Sequence, residues 1–200
     1  WVVDPVTEPD STPTAPQSIP PSAILYDSVY EADSSYAWQT NLALGPLEKP
    51  AGAQYTSNAA NVFGVINRRR CSIDVGQSIY AVRSVGQANM DVYVHCDDST
   101  WYAQPVAIAR WSDTSNMIQV YMSNSTTIHI SEIVAGAEVQ SITVSPIAGQ
   151  TYFRIKVTGT TAEIYHGTTL VRTVTGLAVT GQSAGWSLSP SQRMSKFEVY

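Results

Sequence analysis

Four groupings in this sequence have residue types that do chemistry, and spacing decides what each can do. Gly181-Gln182-Ser183-Ala184-Gly185 has the G-x-S-x-G form of a nucleophile elbow. An elbow needs a strand before the serine, a helix after it, and an acid and a histidine downstream. Here Trp186-Ser187-Leu188-Ser189-Pro190 follows, no histidine comes later, and Glu198 is the one later carboxylate side chain, so the run reads as a turn between strands. Glycoside hydrolysis takes two carboxylates about 5–9 Å apart. Glu132, Glu138, Glu163 and Glu198 have no acid at i+2, and the adjacent Asp97 and Asp98 would point to opposite faces of a strand. Cleavage would therefore need acids converging from separate strands, and no catalytic residue is assigned. His95-Cys96-Asp97-Asp98 is the metal-like cluster, but it has no second His or Cys at zinc spacing. Sugar binding asks for an exposed aromatic face with amide and carboxylate groups beside it. Trp101, Tyr102 and Trp111, with Asp113 and Asn116, are the best such grouping, because both aromatic sites border turns. The plainer reading is that Trp111 ends a core strand and Trp101 covers a sheet edge, as large aromatics mostly do.

Strands must position all of these. Tyr152 to Gly176 organises the chain: Phe153, Ile155 and Val157 alternate with Tyr152, Arg154 and Lys156, the period of a strand with one buried face. Thr158-Gly159-Thr160 reads as a turn, Ala162 and Ile164 resume the alternation, and His166-Gly167 turns into a third strand over 170–174. Three β-rich runs with Gly-containing breaks predict an antiparallel meander. Further strands are expected over 62–66, 71–75, 78–82, 90–96, 106–111, 117–122, 126–130, 138–144, 185–188 and 196–200. In 90–96, Met90, Val92, Val94 and Cys96 fall on one face, with Asp91, Tyr93 and His95 on the other. No segment keeps the i, i+3, i+4, i+7 apolar pattern of a helix.

Composition agrees. The 200 residues are 44% hydrophobic and 14% charged, suiting one globular domain. A net charge of −5 argues against a nucleic-acid partner. Arg68-Arg69-Arg70 reads instead as a solvated strand edge that blocks edge-to-edge pairing. No apolar run approaches the ~18 residues that would insert in a membrane. Cys71 and Cys96 read as two buried reduced thiols, with a disulfide across sheets as the alternative. Residues 1–22 carry prolines at 5, 9, 13, 16, 20 and 21, so they read as a linker or extended arm ahead of a body at 23–200. The chain opens on Trp1 rather than Met and is expected to be a processed product or a piece of a longer protein.

Taken in order, Tyr26-Asp27-Ser28-Val29-Tyr30, AIARWSDTSN (107–116), YFRIKVTGTTAEIYHGTTLV (152–171) and GWSLSPSQRMSKFEVY (185–200) resemble the concanavalin A-like lectin/glucanase sandwich, including laminin-G-like domains. The resemblance spans about residues 24–200. With the proline-rich lead-in, the chain is similar to modules in minor tail proteins of bacteriophages. It implies an all-β, antiparallel two-sheet jelly-roll sandwich with an extended N-terminal arm. It also implies a non-enzymatic virion component in the tail, partnered by other tail subunits, homo-oligomeric, and touching host-surface glycan. The alternatives are a carbohydrate-binding module of a secreted, extracellular protein and, third, a polysaccharide-cleaving enzyme. Laminin-G-like relatives hold calcium at the sandwich rim, which would make Asp97, Asp98 and Asp113 its ligands here; no other cofactor is implied. The glucanase relatives set their acids as E-x-D-x-x-E or E-x-D-x-E, a pattern this chain lacks.

Overall fold

Alternation of apolar and polar residues builds both large sheets. The structure, a computed structural model, describes residues 22–27, 34–39, 56–57, 63–66, 69–72, 79–96, 104–189 and 192–200. All regular elements among them are strands.

A six-stranded antiparallel sheet contains β1 (Leu25–Asp27), β7 (Met90–His95), β12 (Tyr152–Thr158), β13 (Thr161–His166), β14 (Thr169–Thr175) and β17 (Lys196–Val199), in the order β1-β17-β7-β12-β13-β14. A seven-stranded sheet contains β3 (Thr56–Ser57), β6 (Ile79–Ser84), β8 (Val106–Asp113), β9 (Asn116–Asn124), β10 (Thr127–Val134), β11 (Ala137–Val144) and β15 (Ser183–Leu188), in the order β11-β10-β9-β8-β15-β6-β3. From β6 onward the chain crosses between the two large sheets after β6, β7, β11 and β14, and it returns from β15 to β17 at the end, which gives the two-sheet jelly-roll sandwich that the sequence predicts.

The core lies between the sheets. Val92, Val94, Phe153, Ile155, Ala162 and Ile164 meet Ala107, Ala109, Ile118, Val120, Ile128, Ile130 and Trp186, all buried. Each large apolar side chain buried here is worth about 1.5–3 kcal/mol relative to exposure. The faces assigned to 90–96 and to the meander are the ones observed, Cys96 included. Ala23 is buried and the Ile24 amide donates to the Val199 carbonyl at 2.7 Å, so the chain joins the six-stranded sheet beside its last strand.

Three features depart from expectation. A third, four-stranded sheet joins β2 (Ser34–Gln39), β4 (Phe63–Ile66), β5 (Arg69–Ser72) and β16 (Arg193–Met194), in the order β16-β5-β4-β2. β2, around Trp38, lies in a polar stretch whose alternation is too weak to announce a strand. The arginines are not an unpaired edge: Arg69 and Arg70 open β5, which is hydrogen-bonded on both sides by β4 and β16. Pairing on both sides comes from β16, two residues long and without a periodic signature. Of the expected arm, residues 1–22, all but Ser22 lie outside the described residues.

Candidate functional site

The outer face of the seven-stranded sheet carries the residues left over from core packing. Ala81, Ala107, Ala109, Ile118, Val120, Ile128, Ile130, Ala184 and Trp186 point inward, so Tyr80, Ile108, Gln119, Tyr121, His129, Ser131, Gly185 and Ser187 alternate to the other face, where Ile108, Ser131, Gly185 and Ser187 are themselves buried and the rings are half-buried. Strand register arranges them in rows. Ser131 lies opposite Gln119, Gln119 opposite Ile108, and Ile108 opposite Gly185. In the neighbouring row, His129 lies opposite Tyr121, while Ser187 lies opposite Val106 on one side and Tyr80 on the other.

The rings form two pairs. Tyr121 stacks on His129 with centroids 5.1 Å and planes 7° apart. Tyr80 and Trp111 meet at 5.1 Å, tilted by 45°. Burial first, then Glu138, then Tyr80 raise the Tyr121 hydroxyl above its ordinary value. Polar groups fill the spaces. His129 Nε2 donates to Glu138 Oε1 at 2.8 Å, with Ser141 Oγ 3.3 Å from the same nitrogen. The His129 hydrogen bond is the main reason that Glu138 is held below the usual carboxylate range; burial opposes it, and Ser141 and Ser131 add to it. Gln119 Nε2 donates to Ser131 Oγ at 3.0 Å. Ser187, between the two tyrosines in its row, is buried, and among the described residues its hydroxyl has no hydrogen-bond partner. A buried hydroxyl left so costs about 1–3 kcal/mol.

Trp111 reaches this face through a bulge. Arg110 has φ of 51°, and the pairing of β8 shifts register there on both sides. The extra residue turns Arg110 inward directly after inward Ala109. Its buried guanidinium donates to the carbonyls of Ala88 (2.9 Å), Val179 (3.0 Å) and Gly159 (2.5 Å). Buried Glu132 takes the other side of the same residue, accepting from Val179 N (2.9 Å), Ala178 N (2.6 Å) and Gln140 Nε2 (2.9 Å). The two charges thus clamp the crossover between β14 and β15. The glycines of Gly181-Gln182-Ser183-Ala184-Gly185 serve this packing: a Cβ at Gly181 would strike the Arg110 and Trp111 carbonyls, and one at Gly185 the Ala81 carbonyl. Ser183 opens β15, so the run is no elbow.

Of the residues expected to bind sugar, Trp111 joins this cluster, while Trp101 and Tyr102 lie outside the described residues. Asp113 and Asn116 build turns. The Asp113 carboxylate accepts from Ser115 N (2.7 Å) and from Asn116 Nδ2 (3.0 and 3.1 Å), and Asn116 Oδ1 accepts from Ala135 N (3.0 Å). Among the described residues no three His, Cys, Asp or Glu side chains gather as for a metal; Asp97 and Asp98 are outside them. Tyr80, Tyr121 and His129 were not among the residues expected to bind, and Glu138 was weighed only as a hydrolytic acid. Their signal was present, since Gln119, Tyr121 and His129 sit at the polar positions of two alternating strands.

No protein-family model matches the chain, and no curated protein does. Among solved structures it is similar to carbohydrate-binding module CBM66 from Bacillus subtilis, with a TM-score of 0.49 and 10% identity over 72% of this chain and 91% of that one. A native glycosidic hydrolase scores 0.45 at 11% identity, covering 73% and 89%. A Bacillus licheniformis beta-glucanase scores 0.40 at 9% identity, covering 88% and 91%. Likenesses of this size say nothing about what this chain binds.

Proposed function

We propose that this sandwich is a glycan-binding module without hydrolytic activity, with the outer face of the seven-stranded sheet as its binding surface. The observation that supports this is the two aromatic pairs on one sheet face, Tyr80 with Trp111 and Tyr121 with His129, together with the Glu138, Gln119 and Ser131 groups beside the second pair. Aromatic faces take the apolar faces of sugar rings, and the amide, hydroxyl and carboxylate groups take their hydroxyls. Binding is favoured over cleavage because Glu138 is tied to His129, and among the described residues the cluster holds no second carboxylate.

The setting we propose is a bacteriophage tail, with several copies joined to other tail subunits and facing host-surface glycan; the motif order and proline-rich lead-in support it. A carbohydrate-binding module of a secreted protein is favoured equally by the aromatic cluster. Copurification with phage particles decides between the two.

The test is titration of the full chain with soluble host-wall glycans, followed by tryptophan emission and calorimetry, with and without calcium. Saturable binding that Trp111→Ala or Tyr121→Ala weakens about tenfold or more, with melting unchanged, is the expected result. A cooperatively melting protein that binds none of them overturns the reading. Release of reducing ends would replace it with hydrolysis.

A further inference from the structure

Each large sheet ends on two edge strands, and an edge leaves a row of unpaired N–H and C=O groups on which another chain can add. Three of the four edges are blunted. β1 is three residues long and β3 two. β14 carries Arg172, and its pairing slips at Val171, since Ile164 lies opposite Arg172 but Tyr165 opposite Leu170. The fourth edge, β11, is eight residues long. It slips at Val139, near its start, and then pairs with β10 in unbroken register from Gln140 to Val144. That run, QSITV, holds no charge, proline or glycine, and its β-branched residues favour strand pairing. Ile142 and Val144 pack on the core while Ser141 and Thr143 are exposed, and among the described residues no strand covers the far side of β11. β11 and β14 lie on one side of the sandwich, where Gln140 Nε2 donates to the Thr175 carbonyl at 3.3 Å. The exposed large apolar side chains among the described residues, Val139 at 52% and Leu170 at 47%, sit on these two strands.

We propose that β11 is the interface to a second copy of this chain, the two β11 strands pairing antiparallel about a two-fold axis at Ile142, so that two seven-stranded sheets join edge to edge. An antiparallel strand is complementary to itself under a two-fold axis, and strand addition draws its affinity from backbone hydrogen bonds. With the axis at Ile142, Ser141 lies opposite Thr143 of the other copy, and Gln140 opposite Val144. Opposite residues then share a sheet face, as antiparallel pairing requires. A net charge of −5 works against self-association over most of the surface, but the uncharged run brings no like charges together. The same contact puts Val139 at the seam and Leu170 on the side that faces the copy. This pairing does not depend on glycan binding.

The test is sedimentation of the full chain at rising concentration, with two charge variants, Ser141→Lys with Thr143→Lys and Ser141→Glu with Thr143→Glu. The unaltered chain should pass from monomer to dimer. Each variant alone sets like charges opposite one another across the axis and should dimerise about tenfold more weakly, whereas an equimolar mixture of the two should recover the dimer. Hydrogen exchange on the unaltered chain gives a second reading that needs no variant. Every amide from Gln140 to Val144 should exchange slowly in the dimer, and dilution to monomer should release alternate ones, because an edge strand directs only every second amide to its neighbour. A chain that stays monomeric throughout, variants that dimerise as tightly as the parent, or a mixture that recovers nothing overturns the proposal. So does a dimer in which alternate amides of 140–144 exchange freely, because its contact then lies elsewhere.

Discussion

His166 should make this protein lose stability in mild acid. The ring is 1% exposed, on the inward face of β13, stacked on Phe153 with centroids 5.1 Å apart. Its Nδ1 accepts from Ile147 N at 3.0 Å, so the proton sits on Nε2, which donates to Gln104 Oε1 at 3.3 Å. Both nitrogens are thus used by a neutral ring, and burial holds its pKa at about 4, against an ordinary value of 6.5. The unfolded chain takes up the proton near the ordinary value, and the folded one refuses it until about 4. Stability from this site is therefore intact above the ordinary value and falls as pH drops towards the folded one. At 1.36 kcal/mol per unit, the loss between about pH 7.5 and about pH 4.5 comes to about 2.5 kcal/mol. Urea unfolding followed by circular dichroism across that range measures it. His166→Gln will be less stable overall, but it has no proton to exchange, so its profile should lack this limb. The difference between the two profiles isolates His166 from His95 and His129. Parallel profiles, or an NMR titration that places His166 at its ordinary value, would refute the argument.

Glu198 acts at lower pH. Burial pulls its pKa up, but the hydrogen bond from His95 (3.1 Å) and the charge and hydrogen bond of Lys196 (3.1 Å) outweigh it and hold it at about 2. Its contribution is present above the ordinary carboxylate value and lost as pH falls towards 2, on the order of 3 kcal/mol; Glu198→Gln should remove that limb from an acid titration of stability. Phe153→Ala or Ile155→Ala should cost about 2–5 kcal/mol in urea unfolding, and an unchanged midpoint would contradict their inward placement. Arg110→Met strands the buried Glu132 and three carbonyls, and should cost about 3–5 kcal/mol. It should also change Trp111 emission, and a variant that kept both stability and emission would show that the clamp does not hold Trp111 in place.

Alternation carried most of the fold. Met90 to Cys96 and Tyr152 to Val157 told their own faces, because a strand between core and solvent writes burial into every second residue. The site was harder to read because its rings come from four strands. Tyr80, Trp111, Tyr121 and His129 belong to β6, β8, β9 and β10, and only the order of strands in the sheet brings them together. That order depends on which edges pair, and composition does not encode it. Asp113 and Asn116 were suggestive beside Trp111, yet short polar residues at a two-residue turn spend their hydrogen bonds on the backbone.

Arg110 shows why strict period-2 reasoning fails where it matters most. Continued past Ala109, the alternation would send Arg110 out to solvent and turn Trp111 into the core, which is the plain reading of a tryptophan that ends a core strand. The observed bulge reverses both, and what holds it lies elsewhere in the chain: the backbone of Val179, which Glu132 also binds, the bare backbone at Gly181, and the Gly159 turn. A lone arginine facing into a sandwich would be costly. With three carbonyls and a buried carboxylate nearby it becomes a fixed post, and the tryptophan after it is set on the outer face. The placement of one binding-site ring is thus a property of the crossover between β14 and β15, some seventy residues further along.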